Sequence, residues 1–184
     1  ETGIVLNLPV HNIYGFNDEG KITLFIRYFE NDVFEEIANS TSKKLNGKVY
    51  INHPYIVNTR KAMNAFVAGD MDGLDKYYSQ KARFSTSMMP WGESTDLAEY
   101  KENITNMFHS GDLKFKVEQI GYPDCIYYAK NDGYVVYSWW MMKVKKGDES
   151  AEFGYMLSHD YDDEGKIVRE HVYVSSNQLD IFRD

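Results

Sequence analysis

The sequence predicts an α+β fold in which about three helices precede an antiparallel sheet, with an extra β-hairpin ahead of both. Three observations carry this reading. The apolar period is two residues as far as Tyr28, turns helical from Asn58, and returns to two after Leu113. Turn signals, Asn131-Asp132-Gly133 and Lys146-Gly147-Asp148 among them, separate the late strands. A pentapeptide of the first hairpin, Asp18-Glu19-Gly20-Lys21-Ile22, recurs as Asp163-Glu164-Gly165-Lys166-Ile167.

Residues 1–37 read as two strands. Val10, Asn12, Tyr14 and Phe16 share one face of the first, and Ile22, Leu24, Ile26 and Tyr28 one face of the second. Between them Asn17 to Lys21 fits a tight loop in which Gly20 takes the left-handed conformation that a side chain disfavours. Residues 38–54 are rich in Asn, Ser, Thr, Lys and Gly and read as a connector, with a short strand at Lys48 to Asn52. The remaining segment, 55–184, has the composition of a complete domain.

In that segment Ala62, Met63, Phe66 and Val67 form one helical stripe, with Asn58 or Thr59 as the expected cap and Gly69 as the stop. A short second helix is expected after Asp70 or Asp72, carrying Leu74, Tyr77 and Tyr78. A third follows Ser94 or Thr95, with Leu97, Tyr100, Ile104, Met107 and Phe108 inward. Five strands are then expected: Leu113 to Ile120, Cys125 to Ala129, Tyr134 to Val144, Ala151 to Tyr161 and Lys166 to Ser175.

Composition narrows the function classes. With 43% hydrophobic and 15% aromatic residues the chain can bury a core, and no apolar run is long enough to span a membrane. A net charge of −8, with cations scattered among acids, offers no basic face, so neither nucleic acid nor an anionic membrane is an expected partner. One cysteine, Cys125, excludes an intrachain disulfide and leaves the compartment open. The five histidines show no metal-ligand spacing, and no phosphate-binding or dinucleotide glycine motif occurs, so neither a metal nor a cofactor is expected.

The order of these elements, with Ala65-Phe66-Val67-Ala68-Gly69-Asp70-Met71-Asp72-Gly73-Leu74 early, Trp139-Trp140 in a middle strand, and Glu164-Gly165-Lys166-Ile167 before a last strand containing Tyr173 and followed by Gln178-Leu179, resembles the SnoaL-like branch of the nuclear transport factor 2-like superfamily. The resemblance covers residues 55–182. It implies a cone: a curved antiparallel sheet wrapped around the helices, leaving a pocket on its concave side. It also implies a choice of functions, since polyketide cyclases, ketosteroid isomerases, dehydratases, epoxide hydrolases and non-catalytic proteins share this fold. An acid often follows the tyrosine of the last strand by two residues in this family. Here that position is Ser175, and its counterpart in the first hairpin is Glu30. The repeat then makes residues 1–37 the closing hairpin of a preceding domain of the same type, in a tandem pair.

Proton abstraction beside a carbonyl needs a carboxylate or imidazole at the pocket wall. If the last hairpin pairs without irregularity, Tyr155, Leu157, His159 and Tyr161 share a face with Ile167, Arg169, His171 and Tyr173, with His159 opposite Arg169 and Leu157 opposite His171. The other face, with Met156, Val168, Val172 and Val174, is more apolar and carries Asp160. Two assignments of the interior stay open. The candidate catalytic groups are therefore Asp160, His171 and His159, and Tyr77, Trp91, Trp139, Met141, Tyr155 and Tyr173 are candidate ligand contacts. The leading expectation is a site for a small apolar or aromatic molecule without a clear catalytic constellation. A proton-transfer enzyme of the isomerase or cyclase kind, with Asp160 or His171 as base, is the alternative, and a dimerising interaction module the third. A homodimer is expected.

Overall fold

A computed structural model of the chain describes residues 5, 7–42, 45–109 and 113–175. The chain divides into two compact units, Glu1–Lys44 and Leu45–Asp184. In the first, β1 (His11–Phe16) and β2 (Ile22–Tyr28) form a two-stranded antiparallel sheet, followed by α1 (Asp32–Thr41). No helix is expected there from the sequence, and this one runs through the first residues of the expected connector. Asp32 and Glu35 in its first turn complement the positive end of the helix, while Phe34 and Ile37 keep an apolar stripe among polar neighbours.

In the second unit, β3 (Lys48–Tyr50) is an edge strand and α2 runs over Pro54–Val67. The helix starts four residues before the expected cap. Pro54 brings a preset φ to its first turn, and the His53 imidazole accepts from the Tyr55 N–H at 3.3 Å. Thr59, an expected cap, is instead buried and hydrogen-bonded to the Tyr161 hydroxyl at 2.9 Å. The stop falls as expected: Gly69 has φ +68°, its N–H bonds the Phe66 carbonyl, and the Asp70 N–H bonds that of Ala65.

The expected second helix is only a 3-10 turn, Gly73–Lys76. Tyr78 opens β4 (Tyr78–Thr86), a strand that the sequence pattern does not predict. Tyr78, Ala82 and Phe84 are its buried residues, and the exposed Gln80 between them, where the ladder with β10 is irregular, interrupts the apolar row that would have revealed the strand. The two-residue β5 (Thr95–Asp96) leads into α3 (Leu97–His109), capped by Asp96 Oδ1, which accepts from the Glu99 N–H at 2.9 Å. The late strands follow the expected order: β6 (Leu113–Gln119), β7 (Asp124–Tyr128), β8 (Gly133–Lys146), β9 (Glu149–Tyr161) and β10 (Ile167–Tyr173).

These strands curl into an α+β cone. Sheet order is β3-β7-β8-β9-β10-β4-β5, and β6 lies beside the second half of β8. All pairs are antiparallel except β4 with β10, whose parallel pairing brings Ser85 level with His171. The helices pack on the concave face, where Met63 and Phe66 of α2 meet Trp140, Phe153 and Leu157 of the sheet. Gln178-Leu179, part of the sequence resemblance, lies outside the described residues.

An irregularity in β10 decides which of its side chains face the interior. Ile167 pairs with Tyr161, but Arg169 pairs with Asp160, so Val168 is an extra residue that bulges from the ladder. The expected facing of His159 with Arg169 and of Leu157 with His171 is therefore corrected by one position. His159 faces Glu170, Leu157 faces Val172, and Ser158 faces His171.

Candidate functional site

The concave face carries a half-open cavity of about 360 Å³. Met63 and Phe66 of α2, Ile104 and Met107 of α3, and Phe153 and Leu157 of β9 supply most of its wall. Its polar groups are few: Thr86 at the end of β4, Tyr100 of α3, Tyr155 of β9 and Glu170 of β10.

Glu170 organises them. It is 3% exposed, turned inward because the Val168 bulge reverses the alternation of β10. Its Oε2 accepts from the Tyr78 hydroxyl and is paired with Nε2 of His159 at 2.7 Å, while Oε1 accepts from the Tyr100 hydroxyl at 3.3 Å. Burial by itself would raise this carboxyl, but the hydrogen bond and charge of His159 and the two phenol donors prevail and hold it below the ordinary carboxylate value. It is ionised at neutral pH.

The phenols respond in the opposite sense. Burial first, then the Glu170 charge, pushes Tyr78 and Tyr100 well above the ordinary tyrosine value, and the same two causes raise Tyr155. All three stay protonated as donors. Two buried atoms lack a hydrogen-bond partner among the described residues: the Tyr155 hydroxyl and His159 Nδ1. The first belongs to a residue that lines the cavity.

The sequence candidates separate into two sets. Tyr155 lines the cavity, and His159 sits behind it, wholly buried in the Glu170 network. Asp160 and His171 are on the opposite, outer face of the sheet, and so the more apolar face assumed for Asp160 is not the interior one. The interior of β9 is the face of Phe153, Tyr155, Leu157, His159 and Tyr161. Asp160 pairs with Arg169, Nη1 to Oδ2 at 3.4 Å, and burial raises its carboxyl against the pull of that guanidinium. His171 Nδ1 is 2.7 Å from Ser85 Oγ, its ring lies edge-on to Tyr173, and partial burial lowers its pKa.

Of the remaining ligand candidates, Trp139 and Met141 alternate with Trp140 and Met142 and so point outward, leaving Met142 at the cavity. Tyr173 is half-exposed, Tyr77 packs against the neighbouring core cluster, and Trp91 is fully exposed in the loop after β4. Ser175 is exposed beyond the end of β10.

Glu170, Tyr78 and Tyr100 were not among the sequence candidates. Glu170 did carry a signal. It stands between Val168 and Val172 in the alternation, an acid in a β10 row of valines. Cys125 is buried and its thiol pushed up to about 11 by that burial, which removes it as a nucleophile. Among the described residues no three His, Cys, Asp or Glu side chains lie close enough to hold a metal ion, and no helix is long and apolar enough to cross a membrane.

Comparison with known proteins points one way. A family model described as a SnoaL-like domain matches residues 59–170. An LEH-like epoxide hydrolase from M. tuberculosis superposes with a TM-score of 0.54 at 16% identity, over 69% of this chain and 86% of that chain. The BvnE pinacolase of Penicillium brevicompactum gives 0.55 at 11%, over 70% and 90%. A putative polyketide cyclase from Xanthomonas campestris pv. campestris gives 0.52 at 11%, over 71% and 96%. At such identities the likeness concerns the fold alone. No curated protein sequence gives a significant match.

Proposed function

The chain belongs to the SnoaL-like domain family, and from that premise we propose that its cone binds a small, largely apolar molecule carrying one oxygen function. The observation that supports this most is the composition of the cavity wall: about 360 Å³ bounded by methionine, phenylalanine and aliphatic side chains, with polar groups confined to a few positions. The volume is at the small end of the range for pockets that hold organic ligands. Tyr155 offers a buried, protonated hydroxyl with no partner among the described residues, a donor that a ligand oxygen satisfies at little further desolvation cost.

A second reading, a proton-transfer catalyst of the isomerase or cyclase kind, draws support from the carboxylate of Glu170 at the cavity. Its environment argues against a strong base. Three donors already converge on it, and a carboxyl held below its ordinary value takes up a proton reluctantly. The binding reading is therefore preferred. In either case the outer face of the sheet, where Tyr173 and Tyr128 are exposed beside Tyr137 and Trp139, is the surface through which two copies would pair.

The test is a titration of sterols, aromatic polyketides and medium-chain fatty ketones, followed through the fluorescence of Trp140, which is buried in the core cluster that includes Met63 and Phe66. Saturable binding of at least one class, with competition between classes, is the expected result. No binding by any of them would overturn the proposal, and turnover abolished by Glu170→Gln in a folded protein would move the function to the catalytic reading.

A further inference from the structure

The first hairpin reproduces the turn and the strand register of the last one. In the turn after β1, the Asn17 N–H bonds the Lys21 carbonyl at 3.0 Å and the Gly20 N–H bonds the Asn17 carbonyl at 2.9 Å. Asn17 Oδ1 accepts from the N–H groups of Glu19 at 3.1 Å and Lys21 at 2.8 Å. In the turn after β9, the Asp162 N–H bonds the Lys166 carbonyl at 2.9 Å and the Gly165 N–H bonds the Asp162 carbonyl at 3.1 Å. Asp162 Oδ1 accepts from Glu164 at 3.0 Å and Lys166 at 2.8 Å. Gly20 and Gly165 have φ +73° and +76°.

The likeness goes beyond the turn. In β1–β2, Phe16 pairs with Ile22 but Gly15 pairs with Leu24, so Thr23 is an extra residue at the position equivalent to Val168. A shared pentapeptide favours a shared turn, but it does not dictate a bulge one residue after its end. The bulge sets the same inward row in both hairpins. Asn12, Tyr14, Phe16, Ile22, Phe25 and Arg27 occupy the places of Leu157, His159, Tyr161, Ile167, Glu170 and Val172. Tyr14 and Phe25 are cross-strand partners with rings stacked at 5.0 Å, where His159 and Glu170 are cross-strand partners joined by a hydrogen bond.

The last hairpin shows what such a unit needs. β9 is bonded along its outer edge by β8, antiparallel, and β10 by β4, parallel. Among the described residues β1 and β2 pair only with each other. A two-stranded ribbon is marginal by itself, and this one carries large exposed apolar side chains on both faces.

We propose that β1–β2 is the closing hairpin of a second SnoaL-like cone. Its partner is the body of such a cone, which presents a β8-like strand antiparallel to β1 and a β4-like strand parallel to β2. The inward row then closes the second cone with Tyr14 and Phe25 where the first has its histidine and carboxylate. The two interiors differ accordingly, one ending in a polar network and the other in stacked rings.

The test extends the chain with its own parts. A copy of residues 45–156 is fused ahead of Asn12, so that β9 of the copy runs directly into β1. Amide hydrogen exchange is then followed in residues 12–28 of the fusion and of the unextended chain. Slowing of these amides by about 100-fold or more in the fusion is expected, because the open edges become internal ladders. The copied body carries Tyr78 and Tyr100, which expect a carboxylate, so a second fusion carrying Tyr14→His and Phe25→Glu separates mismatch of side chains from mismatch of backbone. Protection in either fusion supports the proposal. Lack of protection in both overturns it, as does an unextended chain whose β1–β2 amides are already as protected as those of β9–β10.

Discussion

Replacing Glu170 with Gln removes the charge on which Tyr78, Tyr100 and His159 converge while keeping the size of the side chain. The sign of the effect comes from the carboxyl itself. Its surroundings hold it below the ordinary value, so they favour the ionised form over its neutral isostere, and Gln must destabilise. The magnitude comes from the three bonds. The amide oxygen can keep the two bonds made to Oε2, each weakened from charge-assisted to neutral at about 1 kcal/mol, while the amide nitrogen cannot accept the third, so that about 2–4 kcal/mol is lost in all. For a chain of this size that lowers the cone's melting temperature by about 4–15 °C. The pH dependence gives a second handle. A carboxyl depressed in the folded state contributes stability that is complete above the unfolded value, ordinarily 4.5, and is lost as the pH falls through the folded value. Thermal unfolding followed by tryptophan fluorescence at pH 7, and in steps down to pH 3, reads both. The gap between wild type and Glu170→Gln should be full at pH 7 and narrow below 4.5. A variant as stable as wild type at pH 7, or a gap undiminished at pH 3, would refute the reasoning, the latter by showing a steric cost.

Tyr155→Phe removes a buried hydroxyl that has no partner, so the free protein should be as stable as wild type or more stable by about 1–3 kcal/mol, while affinity for an oxygen-bearing ligand found in the titration drops about fivefold. Asp160→Asn breaks a partly exposed pair with Arg169 on the outer face but also relieves the burial of a charge, and should shift stability in urea unfolding by under about 1 kcal/mol and leave ligand affinity unchanged. Deleting Val168 removes the extra residue and leaves Arg169 opposite Asp160 and Glu170 opposite His159, so the cone should keep its cooperative transition at a cost of about 1–3 kcal/mol for the straightened strand, and Val168→Ala, which keeps the bulge, should cost about 1 kcal/mol in the same urea unfolding.

The fold was legible where periodicity is unbroken. The stripe of Ala62, Met63 and Phe66 marked α2, and the alternation through Trp140, Met142 and Val144 marked β8. It was illegible where the ladder is irregular. β4 hides its Tyr78, Ala82 and Phe84 row because Gln80, on the same alternation, is exposed, and the Val168 bulge reverses the parity of β10, so that strict alternation set Glu170 on the face away from His159, left both assignments of the interior open and left Glu170 unnoticed. The same bulge splits the face on which alternation grouped Asp160 with Val172, leaving Val172 opposite Leu157 inside and Asp160 opposite Arg169 outside. Tyr78 and Tyr100 join the site from β4 and α3, distant in sequence, and nothing short of the pairing of β4 with β10 brings them to Glu170.

That parallel pairing also fixes an order of events. Every other neighbour relation among the late strands can form soon after its residues are made, but β4 must wait for β10, which lies more than eighty residues downstream. At a synthesis rate of about 5–20 residues per second, β4 is available for about 4–18 s before its partner emerges, and a pairing of such long range is slow to nucleate in any setting. The wall that carries Glu170 is thus the last to arrive. The cavity does not exist until β10 has been translated, and a nascent chain stalled before Ile167 exposes Phe84 and Tyr78 on an open strand, a form that chaperones and proteases would treat as unfinished.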